Sequence, residues 1–385
     1  MKEKALLVLD DGACFSGFAC GARNEAAGEV VFTTGMSGWQ EMLTDPSYRG
    51  QIINFTAAHP GNYGVNATDN EAERIQAAGA VFHDLFVYDK GKSPFPHWAA
   101  KESLDTWLRR NGVTGIYGVD TRALTLHLRK NGSCNGIISA CDINKDSLLK
   151  KSRARPSMQG QDLASAAGCR AAYQYTNSQQ GKTPQTSAPG NNAALLRVAV
   201  LDLGVKRSIL DSLLAVGLAP TVWPAATPAD AILASCPDGV LLSNGPGDPQ
   251  PCGYAVETVR RLLGVIPLFG ICLGHQIMAL ALGGKTYKLP FGHHGVNHPV
   301  KDLYSGKIWI TSQNHGFCVD SDSLPAVVEP SHINLNDGTL EGLVCRHIPA
   351  YSVQFHPEAG PGPYDAAGLF ARFRQIILSF KQQRS

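Results

Sequence analysis

Apolar positions along the chain follow two rhythms. Up to residue 172, short apolar runs are cut by turn residues. Runs 5–9, 15–22, 29–33, 51–56 and 80–88 read as strands. Asp11-Gly12 joins the first two as a hairpin, Asp45-Pro46-Ser47 marks a turn, and 59–64 is a loop dense in turn residues. Helical spacing appears twice. Over Ser103–Arg110, Leu104, Trp107 and Leu108 share a face and Ser103 can cap the start. Asp120-Thr121-Arg122 opens the second helix, 123–130, which Asn131-Gly132 ends. This part is mixed α+β, and its propensities alone name no fold.

Tyr175–Ala193 is rich in Thr, Gln, Ser, Asn, Gly and Pro, with Lys182 its only charge. It has too little apolar surface to hold structure alone and reads as a linker. The expected organisation is an N-terminal domain over 1–172, a linker over 173–194 and a second domain over 195–385. From Leu195 the rhythm is β-α-β: strands over 196–201, 221–223, 239–243 and 266–269 alternate with helices over 205–216, 228–235, 254–263 and 276–282. That alternation predicts an α/β fold whose parallel or mixed sheet is covered by helices on both faces. Ligands of such sheets sit at the carboxyl ends of strands. Cys272 and the Asn244–Pro249 turn occupy such ends.

Phe269-Gly270-Ile271-Cys272-Leu273-Gly274-His275-Gln276 runs from strand through turn to helix. Its glycines lie two residues either side of Cys272, the spacing of a nucleophile elbow with sulfur in place of oxygen. Larger flanking side chains would collide, and the central residue is held in a strained conformation. A thiol there sits at a helix N-terminus, whose dipole favours thiolate. The competing reading is a buried structural cysteine in a glycine turn.

A thiol nucleophile needs a base, and the base an orienting group. Tyr351-Ser352-Val353-Gln354-Phe355-His356-Pro357-Glu358 offers both. Pro357 biases His356 toward extended backbone, and residues two apart on an extended chain face the same side. Cys272 is then nucleophile, His356 base and later acid, and Glu358 the orienting carboxylate. Alone, His-Pro-Glu would read as a surface histidine beside an unrelated acid. With an elbow cysteine on an α/β pattern, the catalytic reading prevails. Oxyanion donors are expected from the Leu273 N–H and from the Gly245-Pro246-Gly247 turn, where Pro246 has none to offer. No Gly-Lys-Ser/Thr follows, so this is not an ATP-binding P-loop. His293, His294 and His298 could suggest a metal, but no carboxylate or cysteine lies at ligand spacing, and a glycine-rich loop shaping the cleft is the better reading. Gln313–Phe317 reads as a polar loop presenting backbone groups to a small substrate.

Composition narrows the function classes. The chain's 385 residues suit two or three domains. Thirty-four basic against 32 acidic residues, without a basic stripe, argue against a nucleic-acid surface. Ten cysteines without a C-x-x-C pair argue against a zinc ribbon and point to free thiols in a reducing compartment. The first apolar run is too short for a signal peptide and none reaches membrane-spanning length, so a cytoplasmic location without membrane partners is expected.

Together Gly-Ile-Cys-Leu-Gly-His-Gln (270–276), Ser-Asn-Gly-Pro-Gly-Asp-Pro (243–249), Gln-Asn-His-Gly-Phe (313–317) and Phe-His-Pro-Glu (355–358) resemble the class I glutamine amidotransferases. Segments 36–41, 44–48, 61–64, 120–122 and 291–295 narrow the resemblance to the small-subunit family of carbamoyl-phosphate synthetase. The resemblance implies a glutaminase. Cys272 attacks the glutamine side-chain amide, ammonia leaves, and water releases glutamate from the thioester. It places L-glutamine contacts at Ser47, Gly245, Gly247, Leu273, Gln276, Asn314, Gly316 and Phe317. Ser47 belongs to the first domain, so the site is expected near the domain interface. It also implies that ammonia passes through a tunnel to a separate large subunit, where bicarbonate, two ATP and magnesium make carbamoyl phosphate for pyrimidine and arginine synthesis. No cofactor or metal is expected in this chain. Trp39 stands where tyrosine is common in the family. The alternatives are the glutaminase of another synthesis, a non-catalytic docking protein of the same fold, and a cysteine esterase or peptidase. The N-terminal domain argues against the first and the intact triad against the second; activity on esters or peptides would favour the third.

Overall fold

The computed structural model describes residues 3–86, 97–176 and 195–384. The chain forms two compact units, Met1–Gln159 with Pro290–Gly295, and Gly160–Leu289 with Val296–Ser385. The division thus falls at Gly160 rather than at 172. The reason is that the intervening stretch is tied into the second unit. The Gly160 N–H donates to Asp248 Oδ2 (2.9 Å) and the Cys169 N–H to Asp202 Oδ2 (2.7 Å). The expected linker begins with a short strand, Tyr173–Gln174, and its remainder from 177 lies outside the described residues.

In the first unit, β1 (Lys4–Leu9), β2 (Cys14–Gly21), β3 (Glu25–Thr33), β4 (Gln51–Phe55), β5 (Gly79–Val81), β6 (Thr114–Tyr117) and β7 (Cys134–Ser139) close into a barrel. Its order is β1-β2-β6-β5-β4-β3-β7. Closure gives each strand of the barrel a partner on both sides, so the sheet has no edge strand. Leu7, Leu9, Val30, Ile52, Val81, Ile116 and Ile138 fill the core with Leu124 and Leu128 of helix Thr121–Asn131. The strand expected over 80–88 ends at Val81, and 87–88 lie outside the described residues. Both expected helices form with their caps: Ser103 Oγ accepts from the Thr106 N–H (3.2 Å) and Asp120 Oδ1 from the Ala123 N–H (2.8 Å). A further helix, Lys145–Arg153, has only Leu148 and Ser152 buried, too thin an apolar stripe to be read from pattern.

In the second unit, β8 (Tyr173–Gln174), β9 (Leu196–Asp202), β10 (Leu218–Pro224), β11 (Gly239–Leu242), β12 (Leu268–Ile271), β13 (Lys285–Asp302), β14 (Ile308–Asp320), β15 (Val328–Asn334), β16 (Leu340–Cys345) and β17 (Ala350–Val353) make one sheet. Its order is β14-β13-β15-β16-β17-β12-β11-β9-β10-β8. The centre, β17-β12-β11-β9-β10, is parallel. β8 and the β13–β15–β16–β17 side pair antiparallel, so the sheet is mixed. Helices Ala229–Ala234, Gly253–Leu262 and Leu273–Ala281 pack one face through Ile232, Val259, Ile277 and Met278. Helices Arg207–Ala215 and Gly368–Gln382 pack the other through Ile209, Leu213, Phe370 and Phe373. Two expected loops are strand instead. Gly292–Gly295 lies inside the 18-residue β13, and Gln313–Phe317 inside the 13-residue β14. Glycine and polar residues depress strand propensity, but ladder hydrogen bonds along a long sheet edge override it.

Candidate active site

Strands β9, β11, β12 and β17 lie side by side and parallel, so their carboxyl ends share one edge. β12 delivers Cys272, β17 leads to His356 and Glu358, β11 to Gly245 and Gly247, and β9 to Lys206. Residues as far apart in sequence as Lys206 and Glu358 thereby converge.

Cys272 caps helix Leu273–Ala281 with φ 53° and ψ −106°, a region that side-chain-bearing residues rarely occupy. The two glycines permit it. A Cβ on Gly274 would lie 2.2 Å from the Leu242 carbonyl oxygen, and one on Gly270 would lie 2.7 Å from that of Gly274. The thiol is 1% exposed and donates to the Asn314 carbonyl (3.5 Å). The bend also aims backbone donors. The Gly274 N–H is taken by Ser243 O (3.0 Å) and the His275 N–H by Cys272 O (3.0 Å). Leu273, first in the helix, has no intrahelical acceptor for its own N–H.

His356 Nδ1 lies 2.6 Å from Glu358 Oε1, with both side chains buried. The contact forms within a tight turn, closed by the Ala359 N–H donating to His356 O (3.2 Å), and not through the two-residue alternation expected from an extended chain. The His356 backbone is pinned to β14, its N–H donating to Ser312 O (2.9 Å). Burial pushes the imidazolium toward losing its proton. The charge of the Glu358 carboxylate, the Cys272 thiol and the Glu358 hydrogen bond together outweigh burial and the opposing Lys206 ammonium, and the net shift is upward. With Nδ1 occupied by Glu358, the thiol's interaction falls to Nε2, which makes no full-strength hydrogen bond in this resting geometry. Catalytic hydrogen bonds are often long until substrate binds.

The pattern of the chain did not single out Lys206. Only 2% of its side chain is exposed, and Nζ donates to Glu358 Oε1 (3.0 Å) and Ala359 O (2.6 Å). Burial alone would raise the Glu358 carboxyl. The Lys206 ammonium, then the His356 imidazolium, reverse that and hold it well below the usual carboxylate range. The usable signal was position: a lysine just past the carboxyl end of a parallel strand. In the sequence it passes for the first turn of the following helix.

The other expected contacts fall into two groups. Gly245, Gly247, Leu273, Gln276, Asn314, Gly316 and Phe317 all belong to the second unit, with Cys272. Among them, Gln276 Nε2 donates to Phe317 O (2.8 Å), tying the elbow helix to β14. Ser47 belongs to the first unit, buried in the short helix Pro46–Tyr48, where its N–H donates to Asp45 Oδ1 (2.9 Å). His293 and His294 are buried strand residues of β13. No helix among the described residues is long and apolar enough to cross a membrane.

Comparison with known proteins matches residues 7–138 to the family model "Carbamoyl-phosphate synthase small chain, CPSase domain" and residues 199–376 to "Glutamine amidotransferase class-I". The carbamoyl phosphate synthase small chain of Syntrophotalea carbinolica is 48% identical, over 99% of this chain and 100% of its own length. That of Pseudomonas aeruginosa is also 48% identical, over 97% of this chain and 98% of its own. The small chain of Aquifex aeolicus is 45% identical over 97% and 98%.

Proposed function

Since this chain belongs to the carbamoyl-phosphate synthase small-chain family of class I glutamine amidotransferases, we propose that Cys272, His356 and Glu358 form its glutaminase triad and that the ammonia released serves a large synthetase chain. Membership of a small-chain family implies that large-chain partner. The observation that carries the triad is the buried Glu358–His356 pair beside a thiol strained onto a helix N-terminus.

Chemistry follows from the geometry. The Cys272 sulfur attacks the side-chain carbonyl carbon of L-glutamine while His356 holds the thiol proton. Charge gathers on the carbonyl oxygen, where the Leu273 N–H and a donor of the Gly245–Gly247 turn stabilise it. Breakdown expels nitrogen, to which His356 gives its proton, and ammonia leaves behind a γ-glutamyl thioester. Water, deprotonated by His356, then releases glutamate. Glu358 fixes the imidazole through Nδ1, so that Nε2 faces the reacting atoms, and Lys206 keeps Glu358 ionised throughout. Gln276, Asn314, Gly316 and Phe317 hold the substrate. This chain needs no cofactor for these steps; bicarbonate, ATP and magnesium act on the large chain, for pyrimidine and arginine synthesis. The match over 7–138 favours this reading over the glutaminase of another synthesis.

The test is Cys272→Ser in the two-chain complex. Glutamine-dependent carbamoyl phosphate formation is expected to vanish while ammonia-dependent formation persists. Loss of both in an intact complex would sink the assignment. A glutamine-mimicking electrophile should label Cys272 and no other thiol.

A further inference from the structure

Gln313 and His315 were expected to shape a polar loop, and the proposed mechanism gives neither a task. Both are buried in β14, and Glu341 of β16, fully buried, lies beside them. The hydrogen bonds around them fix the orientation of each amide. The Asn336 N–H donates to Asn334 Oδ1 (3.0 Å), so Asn334 must turn its Nδ2 outward, and this donates to Glu341 Oε1 (2.8 Å). Glu341 Oε2 accepts from Gln313 Nε2 (3.0 Å). Both oxygens of Glu341 are thus acceptors, the pattern of a carboxylate. The Thr311 hydroxyl gives its proton to the His298 carbonyl (3.0 Å) and therefore accepts from Gln313 Nε2 (3.1 Å), which fixes the amide with Nε2 toward Thr311 and Glu341 and Oε1 toward His315.

His315 therefore meets an acceptor on each side. Its Nε2 lies 3.0 Å from Gln313 Oε1, and its Nδ1 lies 2.8 Å from the Phe317 carbonyl oxygen. Neither acceptor can supply a proton. A neutral imidazole has one N–H and would leave one of these contacts as two facing lone pairs. We infer that Glu341, acting through the Gln313 amide, holds His315 as a buried imidazolium whose two N–H groups fix the Asn314–Phe317 strand against the elbow helix. The charges of Glu341 and His315 cancel through one intervening amide. The Phe317 carbonyl then receives two donors, His315 Nδ1–H and Gln276 Nε2–H (2.8 Å). Asn314, whose carbonyl receives the Cys272 thiol, is held between the two relay residues. Glu341 is a positioning residue: it acts through Gln313 and His315, not on the reacting atoms.

Two measurements test this, and the first does not rest on the proposed glutamine site. In the full chain labelled with ¹⁵N-histidine, with His315 assigned through His315→Gln, both ring nitrogens of His315 should show imidazolium shifts at pH 7.5. Shifts of a neutral ring would overturn the inference. The wild-type spectrum decides the charge state even where Glu341→Gln fails to fold. The second measurement uses Glu341→Gln in the two-chain complex. Loss of one charge-assisted hydrogen bond should raise KM for glutamine about tenfold with kcat within about twofold, and the His315 signals should become those of a neutral ring. Glu341→Asp, which keeps the charge, should recover part of the loss. A neutral ring with unchanged KM would separate a failed kinetic role from a correct relay. An imidazolium that survives Glu341→Gln would overturn the role of Glu341.

Discussion

The elbow at Cys272 and the strand Thr311–Phe317 reach the same sulfur atom, yet they are built by opposite means. The elbow is a local device. Its backbone strain, its two glycines and its helix N-terminus all lie within eight consecutive residues, and close backbone contacts, within the turn at Gly270 and to the neighbouring strand's Leu242 at Gly274, dictate the shape. The strand borrows its geometry. Ser312 is held by the His356 N–H, Gln313 by Glu341 and Phe317 by Gln276, partners 28 to 44 residues away. Glycine shows the contrast directly. A methyl group on Gly274 collides with backbone, whereas one on Gly316 meets nothing within 4 Å. A local device tolerates no change in its few residues; a borrowed one tolerates local change but depends on remote partners.

The sharpest way to break this contrast is Gly274→Ala. Its Cβ would press on the Leu242 carbonyl, a backbone atom that cannot yield. Denaturant unfolding should register a loss of about 4 kcal/mol, and glutamine-dependent synthesis should fall about 100-fold through misplacement of the sulfur. Next is Lys206→Met, which removes a remote partner and leaves Glu358 with one counter-ion fewer in a dry site. Breaking a buried pair predicts a loss of about 3 kcal/mol, with kcat lowered more than KM raised. Equal loss in ammonia-dependent synthesis would show instead that the change disturbs the whole assembly.

Acid titration probes the floor beneath the elbow. His275 of the elbow helix contacts Ser352 Oγ through Nδ1 (2.8 Å) and is fully buried. Burial, aided by nearby His332, pushes its pKa down to about 3. Burial likewise takes His332 down to about 4, with Asp302 opposing and Arg372 assisting. Both are neutral when folded and take up a proton at about 6.5 when unfolded. Their contribution to stability is therefore complete above pH ~6.5 and is lost as pH falls toward the folded values. The denaturation midpoint should drop steadily from pH 6.5 to 4, and replacing both residues with glutamine should flatten that slope. The smallest effect is expected for Gly316→Ala: stability within about 0.5 kcal/mol of wild type, but a raised KM for glutamine, because the methyl group enters space proposed for substrate.

Much of this molecule was open to reading without coordinates, and the division follows physical range. Period and turn chemistry sufficed for most barrel strands, both capped helices and the β-α-β order, because those signals act over a few residues. The same holds for the elbow, whose spacing states its steric problem outright, and for His356 and Glu358, which are two residues apart. Folding in three dimensions decided the rest. It turned two glycine- and histidine-rich stretches into strands of β13 and β14, because ladder partners outweigh local propensity. It moved the boundary to Gly160, because Asp202 and Asp248 capture the backbone that follows. It set Lys206 beside Glu358 and Gln313 between Glu341 and His315. No pattern along the chain encodes such pairings, because a buried charge is tolerable only where a distant segment supplies its partner, and only the packed sheet brings those segments together.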